Sequence, residues 1–235
     1  MIIGGLQKLT LLDFPGYVAC TVFTEGCNFR CPFCHNALLV VEEKKEFDDK
    51  MSEEDFFEFL DKRKGKLDGV CVSGGEPLVQ PDIKNFIRKI KDKGFLVKVD
   101  TNGSFPERLK ELIEDNLVDF VAMDIKSSPD KYSDLCDLSN PPIEKVRQSV
   151  ALLLEGKVKY EFRTTVVEEL HEAGDFEEVG NWIAGAPRYF LQKYEETEEV
   201  IGDKSKMHEP SQKKLDEIMK VVRKYVPQAK IRGEE

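Results

Sequence analysis

Three cysteines lie within one eight-residue segment, Cys27-Asn28-Phe29-Arg30-Cys31-Pro32-Phe33-Cys34, and no fourth cysteine is nearby in the sequence. A structural zinc ion or a closed iron–sulfur cluster takes four protein ligands, commonly supplied as two pairs. Three thiolates on one loop can instead hold three irons of a cubane cluster and leave the fourth iron open. An open metal position is typical of catalytic sites. The spacing therefore predicts a reactive 4Fe–4S centre on Cys27, Cys31 and Cys34.

Three simpler interpretations of these cysteines stay open at this point. They are a redox-labile thiol cluster, a disulfide pair with one spare thiol, and a zinc site that borrows His35. Cys34 and His35 are adjacent in the sequence, which makes joint ligation of one ion awkward. The remaining cysteines, Cys20, Cys71 and Cys136, lie far apart, and we expect them to be buried small hydrophobic residues.

Composition excludes several classes of function. The chain has 235 residues, which suits one domain with a full core. Its 35 basic and 45 acidic residues give a net charge of −10, which opposes generic nucleic-acid binding. No apolar run approaches the length of a membrane span, and the first residues have no signal-peptide layout. We therefore expect a cytoplasmic protein with reduced thiols, without a membrane or nucleic-acid partner.

Short apolar runs alternate with amphipathic helical stretches along the chain, and this order predicts an α/β fold with a parallel sheet. Six such units are too few for a closed eight-stranded barrel, so the order favours a partial (β/α)6 barrel. A flat, doubly wound sheet with the same order is the alternative. The candidate strands are Tyr17–Thr24, Gly69–Ser73, Phe95–Asp100, Val118–Lys126, Lys159–Val167 and Arg188–Tyr194.

Residues 1–235 read as a single domain with three distinct additions to the barrel. Residues 1–16 form an N-terminal extension in which Leu6–Leu12 could pair beside the first strand. Residues 195–210 are polar and acidic, which predicts a mobile surface loop or, alternatively, a lid that binds a partner. Residues 211–226 have helical periodicity and predict a C-terminal helix.

The polar and glycine-containing motifs share one position relative to the predicted strands. Each lies at or near the carboxyl end of a strand, where the working residues of parallel α/β barrels gather. These motifs are the cysteine loop (Cys27–Cys34), the glycine turn (Ser73–Pro77), Asp100–Gly103, Met123–Lys126 and Arg163–Thr165. Their common edge predicts one active site built from several strands.

The residue types at this edge predict binding of a charged small molecule. Asp100 and Asp124 would direct two carboxylates into one cavity, and Lys126 shares the strand face of Asp124. Lys126 could neutralise a substrate carboxylate, and Arg163 could bind a carboxylate with two hydrogen bonds. The alternatives are an Asp–Lys ion pair that closes the sheet and an ordinary charge on the strand edge for Arg163. The two glycines of the glycine turn would let backbone approach a ligand, or would only begin a helix.

The cysteine loop together with Gly74-Gly75-Glu76-Pro77 resembles the signature of the radical S-adenosylmethionine (radical SAM) superfamily. The resemblance implies a partial barrel that binds a 4Fe–4S cluster, whose open iron is chelated by SAM. It also implies that Phe33 lies beside the SAM adenine and that the Gly74, Gly75 and Glu76 backbone receives the SAM ammonium. One-electron reduction would then cleave SAM into methionine and a 5′-deoxyadenosyl radical.

Two further segments resemble the activating enzymes of the pyruvate formate-lyase type, namely Asp100-Thr101 and Asp124-Ile125-Lys126. The resemblance implies SAM contacts from Asp100, Asp124 and Lys126, and Arg163 is a further candidate for a SAM contact by its residue type. It also implies a monovalent cation held by Asp100, Thr101, Asp124 and the carbonyl of Ala122. The chain departs from those activases at the sixth predicted strand, where Leu191-Gln192-Lys193-Tyr194 contains no histidine.

The stretch from Gly4 to Gly16 resembles the start of anaerobic ribonucleoside-triphosphate reductase activating proteins. That family implies a protein substrate, a glycyl-radical enzyme that loses hydrogen from a glycine Cα, and a flavodoxin- or ferredoxin-type reductant. Alternatives are an activase of pyruvate formate-lyase-like enzymes, a radical SAM enzyme acting on a small molecule such as a deazapurine precursor, and a single-cluster electron carrier. Of the histidines, His35 is expected to support or cap the site, and His171 and His208 to lie on the surface.

Overall fold

The computed structural model describes residues 1–41, 51–197 and 199–234. An eight-stranded sheet forms its centre, and the strands follow one another in chain order, β1 to β8. The strands are β1 (Ile3–Thr10), β2 (Ala19–Thr24), β3 (Gly69–Gly74), β4 (Leu96–Thr101), β5 (Phe120–Asp124), β6 (Lys159–Val166), β7 (Tyr189–Lys193) and β8 (Lys230–Ile231). β1 is antiparallel to β2, and every later neighbouring pair is parallel.

Helices connect the parallel strands. They are α1 (Ala37–Val40), α2 (Glu53–Asp61), α3 (Ile83–Asp92), α4 (Pro106–Glu114), α5 (Tyr132–Cys136), α6 (Ile143–Leu154), α7 (Asp175–Trp182) and α8 (Gln212–Val222). Short 3₁₀ turns occupy Pro77–Val79, Pro129–Lys131 and Lys204–Lys206. No helix of the described chain is long and apolar enough to cross a membrane.

The prediction of a partial barrel is confirmed. Strands β2 to β7 are the six predicted parallel strands, and within the described residues no pairing joins β1 to β8. Their central residues are buried on both faces, as in Val70-Cys71-Val72 of β3 and Val121-Ala122-Met123 of β5, because helices cover the outside of the sheet. Each edge carries one additional strand, β1 and the two-residue β8.

Local sequence explains where the helices lie. Ser52 begins α2 with a capping box, in which its side chain accepts from the backbone N–H of Asp55 and the Asp55 carboxylate accepts from the backbone N–H of Ser52. Helix α3 buries the stripe Ile83, Phe86, Ile87 and Ile90, and Gly94 follows it with a φ of 90°. These helices pack their apolar stripes against the outside of the sheet.

The three predicted additions have definite places. The extension 1–16 contains β1, which begins earlier than the predicted Leu6–Leu12 and pairs with β2. The C-terminal helix ends at Val222, before the predicted 226. The segment 195–210, of which residue 198 lies outside the described residues, is tied to the rest of the protein rather than being only a surface loop. Val200 and Met207 are buried, and the Gly202 N–H donates to the Pro32 carbonyl at 2.8 Å.

Candidate active site

A cavity of about 270 Å³ lies at the carboxyl ends of the parallel strands. Eleven residues that the sequence predicts for the site line it: Cys27, Cys31, Phe33, Cys34, Gly74, Gly75, Asp100, Thr101, Asp124, Lys126 and Arg163. The structure therefore brings together the cysteine loop, the glycine turn and the ends of β4, β5 and β6. Glu76 and Ala122, which the sequence also nominates, are buried outside the cavity lining.

The glycine turn holds the cysteine loop by direct backbone contact. The Glu76 N–H donates to the Gly26 carbonyl at 2.9 Å, and the Gly75 N–H donates to the Thr24 carbonyl at 2.9 Å. A Cβ at Gly75 would overlap the Gly26 carbonyl, and Gly74 has a φ of 114°, which side chains other than hydrogen rarely allow. Two glycines are therefore needed because two backbone segments meet here.

All three thiols of the cysteine loop line the cavity, but their hydrogen bonds and pKa values differ. The Cys27 sulfur accepts from the Phe29 N–H at 3.3 Å and from the Asn102 amide at 3.9 Å. A hydrogen bond from Cys136, which outweighs burial, lowers the pKa of Cys31 to about 7, whereas burial raises the pKa of Cys27 to about 12. Thiolates are the metal-binding form of cysteine, and hydrogen bonds to sulfur adjust cluster potentials.

These thiols suit a cluster in number and position. Three sulfur donors face one cavity on a loop that the glycine turn and Asn102 fix from two sides. The described residues contain no group of three or more His, Cys, Asp or Glu side chains already close enough to hold a metal ion. Cys136 itself does not line the cavity, so the cavity offers three thiols.

Opposite the cysteines lies a charged cluster, which we define as Lys98, Asp100, Asp124, Lys126 and Arg163. The Arg163 guanidinium joins the two carboxylates, with Nε 2.9 Å from Asp124 Oδ1 and Nη1 3.4 Å from Asp100 Oδ2. The Lys126 ammonium donates to Asp124 Oδ2 at 3.1 Å, and the Lys98 ammonium donates to Asp100 Oδ1. β4, β5 and β6 are consecutive parallel strands in which Asp124 pairs with Arg163, while Asp100 pairs with Ala122, two residues before Asp124, so the side chains of neighbouring strands reach one another.

Opposite charges fix the ionisation of this charged cluster. Burial by itself would raise the pKa of Asp124, but Arg163 and Lys126 lower that pKa to about 2. The pKa of Asp100 is also lowered, by Arg163 and Lys98 against the effect of burial. Both carboxylates are therefore charged at neutral pH. The alternative of an ordinary strand-edge charge does not describe Arg163, because it lies in the cavity between two carboxylates.

Glu76 supports the glycine turn from behind. Its carboxylate accepts hydrogen bonds from the Thr101 hydroxyl at 2.8 Å, the Asn102 N–H at 2.6 Å and the Leu78 N–H at 3.0 Å. Burial raises the pKa of Glu76 to about 7 in spite of these donors. Glu76 thus links the end of β4 to the cysteine loop, and its side chain directs the Thr101 hydroxyl away from the two aspartates.

The histidine predictions have mixed outcomes. His208 is exposed and pairs with Glu169, as expected for a surface residue. The prediction that His171 lies on the surface is wrong, because its side chain is 0% exposed. Its Nδ1 accepts from the Val167 N–H at 3.1 Å, and its Nε2 lies 2.9 Å from the Lys126 carbonyl. The surrounding sequence is polar, and this misled the prediction, since burial here comes from the tertiary fold. His35 lines the cavity.

Sequence reasoning missed several residues of the site. The Asn102 side-chain amide donates to Oδ1 of Asn28 in the cysteine loop at 3.0 Å, and the Ser104 hydroxyl donates to Oδ1 of Asn102 at 2.6 Å. Lys98 is 1% exposed inside the barrel. A signal for Lys98 was present, since it is the one charged residue in the run Phe95-Leu96-Val97-Lys98-Val99. Gln192 also lines the cavity, from the strand where the resembling activases have a histidine.

Residues 21–183 match the family profile of the radical SAM superfamily, and that span contains all the strands that carry the charged cluster and the cysteine loop. The chain belongs to the radical SAM superfamily. Enzymes of this superfamily bind a 4Fe–4S cluster and SAM.

This radical SAM chain is similar to activating enzymes over most of its length. A protein of Methanocaldococcus jannaschii that is provisionally named a glycyl-radical enzyme activating enzyme is 32% identical over 235 residues, which cover 98% of this chain and 95% of that protein. The pyruvate formate-lyase-activating enzyme of Listeria monocytogenes is 34% identical over 151 residues, covering 59% of this chain and 58% of that enzyme.

Solved structures show the same fold. The crystal structure of a domain of pyruvate-formate lyase-activating enzyme from Bacteroides vulgatus superposes with a TM-score of 0.56 at 22% identity. The superposition covers 70% of this chain and 99% of that one. This likeness agrees with the open partial barrel described above.

Proposed function

We propose that this radical SAM protein is an activase that removes hydrogen from a glycine Cα of a partner glycyl-radical enzyme. The observation that supports this most strongly is the near full-length similarity to the M. jannaschii protein, at 32% identity over 98% of the chain. The partner we propose is an anaerobic ribonucleoside-triphosphate reductase, because the stretch Gly4–Gly16 resembles that class of activating protein. A flavodoxin- or ferredoxin-type protein would supply the electron.

The chain's own residues would hold the two cofactors. Cys27, Cys31 and Cys34 would bind three irons, and the fourth iron would face the cavity. Lys126 and Arg163 are the cations that would bind the SAM carboxylate, since both line the cavity. When bound, the cluster and SAM supply one-electron cleavage of SAM and hence hydrogen-atom abstraction.

The glycine turn and Phe33 would fix the orientation of SAM. Gly74 and Gly75 bring backbone to the cavity surface beside the cysteine loop, which leaves room for an ammonium group there. Phe33 is 5% exposed, and its ring meets the ring of His171 edge-on with centroids 6.2 Å apart. A ring fixed in this way would give the adenine an apolar surface and help to exclude water.

The test is activation of a candidate partner under anaerobic conditions. The protein is reconstituted with iron and sulfide, reduced with dithionite and incubated with SAM and either an anaerobic ribonucleoside-triphosphate reductase or a pyruvate formate-lyase. Electron paramagnetic resonance then follows the doublet of a glycyl radical on the partner. We expect a doublet with the reductase, and Cys31→Ala as the matched control should give neither cluster nor doublet.

Each result has a separate meaning. A doublet on the lyase alone would replace the proposed partner but keep the activase reaction. SAM cleavage without a doublet on either partner would contradict the activase and favour a radical SAM enzyme acting on a small molecule. A reduced cluster that never cleaves SAM would favour a single-cluster electron carrier.

A further inference from the structure

The carboxylates that resemblance assigns to a monovalent cation are already occupied by side chains of the protein. All four carboxylate oxygens of Asp100 and Asp124 have a donor: Lys98 and Arg163 for Asp100, and Arg163 and Lys126 for Asp124. Asp100 Oδ2 also accepts from the Ser73 hydroxyl at 3.0 Å. The cation's third predicted side chain, Thr101, donates its hydroxyl to Glu76 instead.

Lys98 is the member of the charged cluster that does not face a ligand-binding cavity. It lies two residues before Asp100 on the same face of β4, its ammonium reaches back to that carboxylate, and it does not line the cavity. Its second contact is the Cys71 sulfur at 3.6 Å. A lysine buried to 1% exposure is rare unless it is paired with an anion.

We propose that the Lys98 ammonium takes the place of the monovalent cation, so that this enzyme binds SAM without added sodium or potassium. The ammonium group is a compact point charge with directional donors, and it satisfies the same hard oxygen that an alkali cation would. Unlike a free ion it is covalently attached, so its position beside Asp100 does not depend on cation concentration. The inference rests on the SAM chemistry of the proposed function and on Lys98, not on the identity of the protein partner.

A charge count supports this assignment. The charged cluster has three cations, Lys98, Lys126 and Arg163, and two anions, Asp100 and Asp124, which leaves one positive charge. Below it, the buried Glu161 pairs with Arg232 and contributes no net charge. An alkali ion added between the two carboxylates would raise this surplus from one to two positive charges in a poorly solvated cluster, which is unfavourable.

The wild-type experiment measures SAM binding to the anaerobically reconstituted holoprotein. Titration calorimetry, together with the change that SAM causes in the electron paramagnetic resonance spectrum of the reduced cluster, gives Kd in choline chloride, sodium chloride and potassium chloride at equal ionic strength. We expect the three Kd values to agree within about twofold, a difference below 0.5 kcal/mol. Binding at least about tenfold tighter in sodium or potassium than in choline would overturn the proposal.

Lys98→Met should convert the protein into a cation-dependent one. The substitution keeps an unbranched side chain that is one heavy atom shorter and removes its charge, so Asp100 loses a buried partner. We expect SAM binding in choline to weaken by about tenfold or more, and sodium or potassium to restore it. Lys93→Met is the matched control, because Lys93 follows α3 and pairs with Asp61 of α2 outside the cavity lining, so this variant should bind SAM like wild type in every salt.

Two results for this variant would contradict the inference. One is wild-type SAM affinity in choline, which would show that Lys98 does not act on the site. The other is weakened binding that neither cation restores, which would assign Lys98 a structural role only. A variant that does not fold leaves the wild-type salt series as the deciding measurement. Since every readout is SAM binding, failure to form a glycyl radical would refute the proposed function without altering this result.

Discussion

His171 gives the most direct test of how the fold supports the site. Its neutral ring receives the Val167 N–H on Nδ1 and donates from Nε2 to the carbonyl of Lys126, a member of the charged cluster. Burial lowers the pKa of His171, and the two backbone contacts only partly oppose this. Protonation would place a hydrogen on Nδ1, opposite the Val167 N–H, and would break that contact.

The sign of the pH effect follows from the lowered pKa. Below the ordinary histidine pKa of about 6.5, the unfolded chain binds a proton at this position that the folded chain does not. The free energy of unfolding therefore falls as the pH falls. Proton binding by the unfolded chain alone sets the upper bound of this loss at about 1.3 kcal/mol between about pH 7 and about pH 5.5, with a limiting slope near 1.4 kcal/mol per pH unit.

The assay compares wild type with His171→Asn, which keeps an acceptor for Val167 and cannot be protonated in this range. Urea unfolding of the reduced, cluster-free protein is measured across the window, and other carboxyl groups cancel in the difference between the two proteins. We expect the wild type to lose more stability toward low pH than the variant. His208→Gln is the opposing control, because the carboxylate of Glu169 raises the pKa of His208.

Parallel pH profiles for wild type and His171→Asn would refute this reasoning. So would a ring resonance of His171 that titrates at or above about pH 6.5 in a carbon–proton spectrum of labelled protein. Either result would mean that the imidazole is solvated, which is incompatible with the two backbone contacts described above.

Two substitutions test the contacts that hold the cysteine loop. Gly75→Ala would push a methyl group into the Gly26 backbone, so we expect a loss of about 1–3 kcal/mol in the free energy of unfolding and a lower iron content after reconstitution. Gly174→Ala is the control, because its Cβ would meet open space and the variant should bind iron normally. Equal iron content in the two variants would contradict the proposed contact. Asn102→Ala removes a donor to the Cys27 sulfur, so we expect a more negative midpoint potential in a redox titration, with the exposed Asn85→Ala unchanged. An unshifted potential would mean that this amide does not act on the cluster.

Much of the fold could be predicted from periodicity. The predicted ends of the six parallel strands lie within about two residues of the observed ends. This is because buried parallel strands are nearly continuous apolar runs between glycines and helices. β8 was missed because two residues give no periodic signal, and its pairing depends on β7. The buried faces of α3 and α8 agree with their apolar stripes.

The site residues that the chemistry itself requires could be predicted from the sequence, because they are uncommon residue combinations. The residues that hold these side chains in place were harder to predict, because they are ordinary residue types. The three cysteines and the Asp–Lys segment are uncommon combinations, and the sheet places them around one cavity. Asn102 contacts Asn28, which is 74 positions away in the sequence, and His171 contacts Lys126, which is 45 positions away. Such contacts have no local pattern, so no reading of neighbouring residues identifies them.

The cysteine loop also depends on residues beyond the span that matches the family profile, which ends at residue 183. Gly202 donates its N–H to Pro32 at 2.8 Å, and a Cβ at Gly202 would overlap the Pro32 ring. Pro32 lies between Cys31 and Cys34, so a shift there would move two thiols relative to the glycine turn on the other side. The C-terminal part of the chain therefore helps to position the cysteine loop, even though it contributes no cysteine.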